Sequence, residues 1–258
     1  MKGKAIFLGT GTSQGVPLIA CNCHVCTSSD TRDKRLRSSL LLQINSLNYV
    51  IDTGPDFREQ MLRLKIQELE SILFTHEHKD HIAGLDDVRA FNYKQQRSMK
   101  VYCTENVETA IKREFHYIFS AQSYPGIPKI DIQIIKNEAF NISDAITVTP
   151  ILVYHHKMPV FGYRVGDFAY ITDAKTIAQE ERDKLKNLNV LVINALHQFP
   201  HISHFNLEEA LEFIADIQPN KAYITHISHQ FGTFEEIKKL LPPHVEVSFD
   251  GMEIEFEC

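Results

Sequence analysis

The sequence predicts an α+β domain of stacked β-sheets covered by helices, and three observations carry that expectation. Short runs rich in β-branched and aromatic residues recur along all 258 residues. Strand-like runs dominate early and alternate with helix-period segments later. No internal repeat, low-complexity tract or Pro/Gly/Ser-rich linker divides the chain, so one domain spanning residues 1–258 is expected. Sheets and helices in this mixture bury their apolar faces by stacking in layers.

Taken in order, strands are expected at Ala5 to Leu8, Ser39 to Ile44 and Tyr49 to Ile51, then a helix over Pro55 to Leu64. Ile72 to Phe74 and Val101 to Cys103 are the next strands, followed by a helix over Glu105 to Phe119. The breakers in Tyr124-Pro125-Gly126-Ile127-Pro128 make that segment a turn or loop, either a cover for a site or a plain connector. Strands follow at Ile130 to Ile135, Ile146 to Val153, Phe161 to Val165 and Ala169 to Thr172. Thereafter helices over Thr176 to Leu185, Leu207 to Ile217 and Thr233 to Leu240 alternate with strands at Val190 to Ile193, Lys221 to Thr225 and Val245 to Phe249. Asn206 and Thr233 are expected N-caps, each placed before an acidic first turn.

Composition narrows the function. A hydrophobic fraction of 43% and a charged fraction of 23% are those of an ordinary globular protein. The formal net charge of -6 provides no basic field to draw the chain to nucleic acid or anionic membrane, so recognition of a phosphate must be local. The apolar run at the N-terminus is too short for a signal peptide and no later run approaches a membrane span; a cytoplasmic location is expected.

The densest chemistry lies in Thr75-His76-Glu77-His78-Lys79-Asp80-His81, directly after an apolar run. Imidazoles and carboxylates crowded in this way repel one another and lose solvation unless a cation joins them, so the segment reads as a transition-metal site rather than a polar loop. An extended His-x-His places both rings on one side of the chain, and the Asp-His that follows can face a second ion. Further ligands are expected where later apolar runs end: His155 or His156 after Val153, Asp173 after Thr172, and His226 after Thr225.

A second metal signal is Cys21-Asn22-Cys23-His24-Val25-Cys26. The odd total of five cysteines does not suit a disulfide framework, whereas three thiolates this close can wrap one tetrahedral zinc that wants a fourth ligand. His24 and His229 are the candidates; His24 stands between two of the cysteines, where a further local bite is strained, which favours His229.

The motif His76, His78, Asp80, His81 resembles that of the metallo-β-lactamase superfamily. That resemblance implies a four-layer αββα sandwich with a two-metal site at one edge of its sheets. One ion, Mn or Zn, would take His76, His78 and His155, a second would take Asp80, His81 and His226, and Asp173 would bridge them. Asp52 would orient a ligating imidazole from behind, or satisfy backbone N–H groups in its turn. Thr10 to Pro17, the cysteine run, Thr225 to Phe231 and Phe249 to Ile254 together look like the phosphoribosyl 1,2-cyclic phosphodiesterase (PhnP) family, from Gly9 nearly to the C-terminus. Membership implies a structural zinc on Cys21, Cys23, Cys26 and His229, and catalytic roles for Asp80, also a ligand, and His204. His201 is the weaker candidate for the proton donor.

The expected function is therefore metal-dependent hydrolysis of a small phosphodiester, such as a cyclic ribosyl phosphate. A tRNA 3′-processing nuclease would need a basic exosite or arm that this acidic chain lacks, so nucleic acid is not an expected partner, nor is a membrane; a homodimer is compatible with the sequence. A lactamase or thioester hydrolase does not account for the cysteine cluster, and a non-catalytic metal sensor has no need of a full two-metal ligand set.

Overall fold

The computed structural model describes residues 1–120 and 126–258. Its first half contains β1 (Lys2–Gly9), β2 (Ser39–Ile44), β3 (Leu47–Ile51), α1 (Phe57–Arg63), β4 (Ser71–Leu73), α2 (Lys79–Ile82), α3 (Arg89–Gln95), β5 (Met99–Cys103), α4 (Glu105–Glu114) and β6 (Ile130–Ile134). The second half contains β7 (Phe140–Ser143), β8 (Ile146–His155), β9 (Met158–Val165), β10 (Phe168–Ile171), β11 (Thr176–Ile177), α5 (Gln179–Asp183), β12 (Val190–Asn194), α6 (Leu207–Ile217), β13 (Lys221–Thr225), α7 (Phe234–Lys238), β14 (Val245–Val247) and β15 (Glu253–Glu257).

The strands form two mixed sheets. One runs β15-β1-β2-β3-β4-β5-β6 and the other β11-β8-β9-β10-β12-β13-β14, with β7 paired to β8. Alternation along each strand sorts the side chains into layers. Ala5 and Phe7 of β1, Tyr170 of β10 and Val192 of β12 point between the sheets into a shared core with Tyr49, Tyr163 and Tyr223. Their neighbours Ile6 and Leu8 face outward, under α1, α3 and α4. Ala169, Ile171, Leu191 and Ile193 face the opposite way, under α6 and α7. The arrangement is the four-layer αββα sandwich that the resemblance implied.

Sequence expectations fail where tertiary pairing decides. β7, β11 and β15 were not expected; each is short, and two-residue β11 exists only because Thr176 and Ile177 pair with Tyr154 and Val153. That pairing converts the start of the expected Thr176 to Leu185 helix into strand, leaving α5. The expected Glu105 to Phe119 helix ends at Glu114 and continues as a short 3₁₀ turn, His116–Ile118. Asn206 and Thr233 do cap α6 and α7, and in both a Glu three residues on returns the hydrogen bond. Tyr124 and Pro125 of the expected loop lie outside the described residues. Among the described residues no helix is long and apolar enough to cross a membrane.

Candidate metal centres

The sheets place the His and Asp side chains at strand ends. His76 and His78 follow β4, and Asp80 and His81 lie within α2. His155 ends β8, Asp173 follows β10, and His226 follows β13. Register sets their level: Ile171 pairs with Ile193, and Asn194 with Thr225, so the chain turns off at a common height on parallel neighbours. Asn194 fixes the loop after Asp173 by accepting from Ala174 N–H at 2.7 Å and donating to its carbonyl at 3.0 Å. Asp52, Asp173 and His226 are all in the left-handed backbone region, a strained conformation that tends to concentrate at functional sites. His156 adopts it too, which swings that ring out to solvent while His155 turns in.

Asp173 is the centre of the cluster. Its Oδ2 lies 3.9 Å from His76 Nε2, while its Oδ1 lies 3.5 Å from His81 Nε2 and 3.3 Å from His226 Nε2. One carboxylate thus divides its two oxygens between two donor sets. Asp80, His81, Asp173 and His226 form one group able to hold an ion, and His76, His78 and Asp173 a second. His155 forms a third group with Asp173 and His204, its ring 5.2 Å from that of His78 and 6.1 Å from that of His76.

Asp52 sets the tautomers. Its carboxylate can only accept, so His81 Nδ1–H donates to Oδ2 at 2.7 Å. Thr75 Oγ1–H donates to the same carboxylate at 2.8 Å and, its proton spent, accepts from His76 Nδ1–H at 2.9 Å. Both imidazoles therefore aim Nε2 lone pairs inward. His155 is fixed in the same way, since its Nδ1–H donates to the Ser203 carbonyl at 2.9 Å. The sequence offered Asp52 either this role or a turn-stabilising one, and it fills both: Thr75 N–H also donates to Oδ1 at 2.8 Å. Gly54 and Gly84 make the approach possible, because a Cβ on Gly54 would run into the Asp80 carbonyl and one on Gly84 into the Gly54 carbonyl.

The donor set fits divalent cations. His76 Nε2, His81 Nε2 and His226 Nε2 are buried with no hydrogen-bond donor to satisfy them, although His81 Nε2 has Asp80 Oδ2 at 3.1 Å. Lone pairs facing carboxylates are stable only with a cation between them. The protonation balance points the same way. Burial opposes ionisation of Asp173 and Asp80, yet the surrounding imidazoles outweigh it and hold both carboxyls below the usual range. Burial likewise works against a charged His81, but Asp80, Asp52 and Asp173 raise its affinity for a proton well above normal. A metal ion answers the same demand.

His204 lies in the loop between β12 and α6, with its ring 4.4 Å from that of His155 and 4.8 Å from that of His226. Its Nδ1 is buried, unpartnered and 3.9 Å from Asp173 Oδ2. Burial pushes its pKa down to about 2, so the imidazole is neutral. His201 sits one ring further out, 5.2 Å from His204, and its Nδ1 accepts from Ser203 N–H. The sequence assigned no role to Thr75, Asn194 or Ser203; a hydroxyl beside the ligands, an amide and a backbone carbonyl give no signal of their own.

Cys21, Cys23, Cys26 and His229 converge as a separate group. His229 Nδ1 is 3.4 Å from both Cys21 Sγ and Cys23 Sγ, close to the roughly 3.6 Å edge of a tetrahedral zinc site with an S and an N ligand. The hydrogen bond from His229 draws the Cys23 thiol down to about 6, whereas burial pushes Cys26 up to about 11. His24 points away and pairs with Glu236 at 3.1 Å.

Residues 47–227 match the family described as Beta-lactamase superfamily domain. A crystal structure titled as a new diphosphatase from the PhnP family superposes with a TM-score of 0.93, at 36% identity over 99% of this chain and 98% of the other. The chain belongs to the PhnP family of the metallo-β-lactamase superfamily. It has the hydrolase fold of that superfamily. The Zn(2+)-bound PqqB of Methylobacterium extorquens shares the fold at a TM-score of 0.77 and 17% identity, covering 97% of this chain and 99% of the other. A protein of Porphyromonas gingivalis named octanoyltransferase is 40% identical over 97% of this chain but only 51% of its own length. The chain spans about half the length of the curated relatives it matches.

Proposed function

We propose that the chain is a two-metal phosphodiesterase acting on a small cyclic phosphate such as phosphoribosyl 1,2-cyclic phosphate. The observation that carries the reading is the division of the Asp173 oxygens between two sets of inward-facing imidazoles. His76, His78 and His155 would hold one ion, Asp80, His81 and His226 the other, and Asp173 both. Ions there, Mn or Zn, would supply a water nucleophile at neutral pH and neutralise charge developing at phosphorus.

The remaining work falls to the protein. Asp52 holds His76 and His81 in the tautomer that keeps their lone pairs available, and the Ser203 carbonyl does the same for His155. His204, buried against Asp173, is the group assigned to protonate the departing alkoxide; an anionic substrate beside it favours the protonated imidazole that this requires. A structural zinc on Cys21, Cys23, Cys26 and His229 completes the reading.

One comparison favours a second substrate class. The PhnP-family neighbour is titled a diphosphatase, and a phosphoanhydride presents the same oxygens to the same donor set. The octanoyl transfer named for the Porphyromonas protein belongs to a chain about twice as long. Turnover of cyclic phosphates, linear phosphodiesters, diphosphates, tRNA precursor and a thioester, each with Mn and with Zn, decides. Preference for the cyclic phosphate supports the proposal; preference for the diphosphate replaces it, and activity confined to the thioester or tRNA overturns both.

A further inference from the structure

Away from the metal centres, α1 and α3 lie over the outer face of the first sheet and leave an opening of about 350 Å³ between them. That is the lower end of the size range of small-molecule sites. Its floor is apolar, made by Phe57, Met61, Ile66 and Phe91. Leu62 stands at its edge 59% exposed, a large aliphatic side chain without a packing partner to cover it.

The rim is polar and one-sided in charge. Arg58, Lys65 and Lys94 line it against the single carboxylate of Asp87, on a chain whose net charge is -6. Arg58 and Lys65 form no ion pair within 4.0 Å among the described residues, and Lys94 Nζ donates to Gln67 Oε1 at 2.6 Å. Lys65 takes the left-handed conformation that closes α1, with Ile66 N–H bonded back to the Met61 carbonyl at 3.0 Å. The helix end therefore turns a cation to the rim and an isoleucine to the floor. Apolar depth with a cationic mouth is complementary to an aliphatic chain that ends in an anion.

From this geometry we infer that the cleft between α1 and α3 is a binding site for a medium-length aliphatic carboxylate, with its chain on Phe57, Met61 and Phe91 and its carboxylate among Arg58, Lys65 and Lys94.

Titration of the metal-loaded full chain with octanoate, octylamine, butyrate and acetate, followed by methyl NMR shifts and calorimetry, tests the assignment. Octanoate should bind at least tenfold more tightly than butyrate or octylamine and shift the Met61, Leu62 and Ile66 methyls. Acetate, which can reach the metals but not fill the cleft, should leave those methyls unmoved. Ala90→Trp, on the exposed face of α3, should abolish octanoate binding with an unchanged melting temperature, and Arg58→Gln should weaken it several-fold. Octanoate shifts confined to the His/Asp loops, equal binding of octylamine, or octanoate binding that survives Ala90→Trp overturns the site. So does a dimer in solution that buries Leu62, since the occupant would then be a second copy of the chain.

Discussion

His226 and His229 stand on one loop after β13, yet they serve clusters of opposite construction. The His/Asp cluster collects its donors from both sheets, at the ends of β4, β8, β10 and β13. Asp52, Thr75 and Ser203 hold the rings of His81, His76 and His155 from behind, and the packed cores hold the strands. The cysteine cluster takes three of its four donors from one irregular loop resting on a small patch of Val16, Val25 and Cys26. That loop is tied to α7 by Asp33, which accepts from Phe234 N–H at 2.6 Å, and by Arg32, whose guanidinium lies 4.1 Å over the Phe234 ring. Where a core already positions the ligands, an ion adds chemistry; where there is almost no core, an ion substitutes for one.

The contrast is open to breakage, most sharply at the bridge. Asp173→Ala or His78→Ala should lower diesterase turnover by on the order of a thousandfold or more, with a near-native melting temperature, because these residues place ions rather than fill the core. Calorimetry showing a large stability loss in either variant would falsify the claim that the site is preorganised.

Next in size is His204→Ala. A nitrophenolate leaves almost unaided and an alkoxide does not, so the variant should lose about a hundredfold on an alkyl or ribosyl cyclic phosphate and little on bis(p-nitrophenyl) phosphate. Equal losses on both, or loss of a bound ion, would make His204 a ligand, a role its 3.9 Å approach to Asp173 also permits.

Asp52→Asn probes the support behind the ligands. An amide can donate to the imidazole instead of accepting from it, so affinity for the active-site ions should fall between about tenfold and a hundredfold in a metal titration. Unchanged affinity would show that packing alone orients His81.

Cys23→Ala is expected to have the smallest effect on activity and a larger one on stability. With loss of one zinc ligand the melting temperature should drop by about 10 °C, while turnover per folded molecule changes by less than about threefold. Elemental analysis should find about three ions per loaded chain, the cysteine-bound zinc last to yield to a chelator. A chelator that empties both clusters together would erase the distinction between them.

Much of this organisation was legible in the chain. The crowded imidazoles and carboxylates of His76 to His81 mark a candidate metal site, since a cation relieves the repulsion and lost solvation of groups that close together. Strand ends bearing His155, Asp173 and His226 were visible as apolar runs that stop at a ligand-type residue, and the caps Asn206 and Thr233 as local chemistry. The choice of His229 over His24 followed from chain stiffness, and the structure brings the same four side chains together. The failures at β11 and α5 share one cause. β11 and the shortened α5 depend on what lies beside them, and a two-residue strand has no periodicity to read.

The sequence by itself determined the kinds of donor, their order, and the alternation that sorts Ile6 and Leu8 to one face and Ala5 and Phe7 to the other, because these depend on spacing along one chain. Only the tertiary structure decided which oxygen of Asp173 meets which imidazole, which tautomers Asp52 imposes through Thr75, and that His155 rather than His156 faces inward. Those outcomes rest on distances of 2.7 to 3.9 Å between segments far apart in the chain. Nothing but the packed register of two sheets fixes distances of that size.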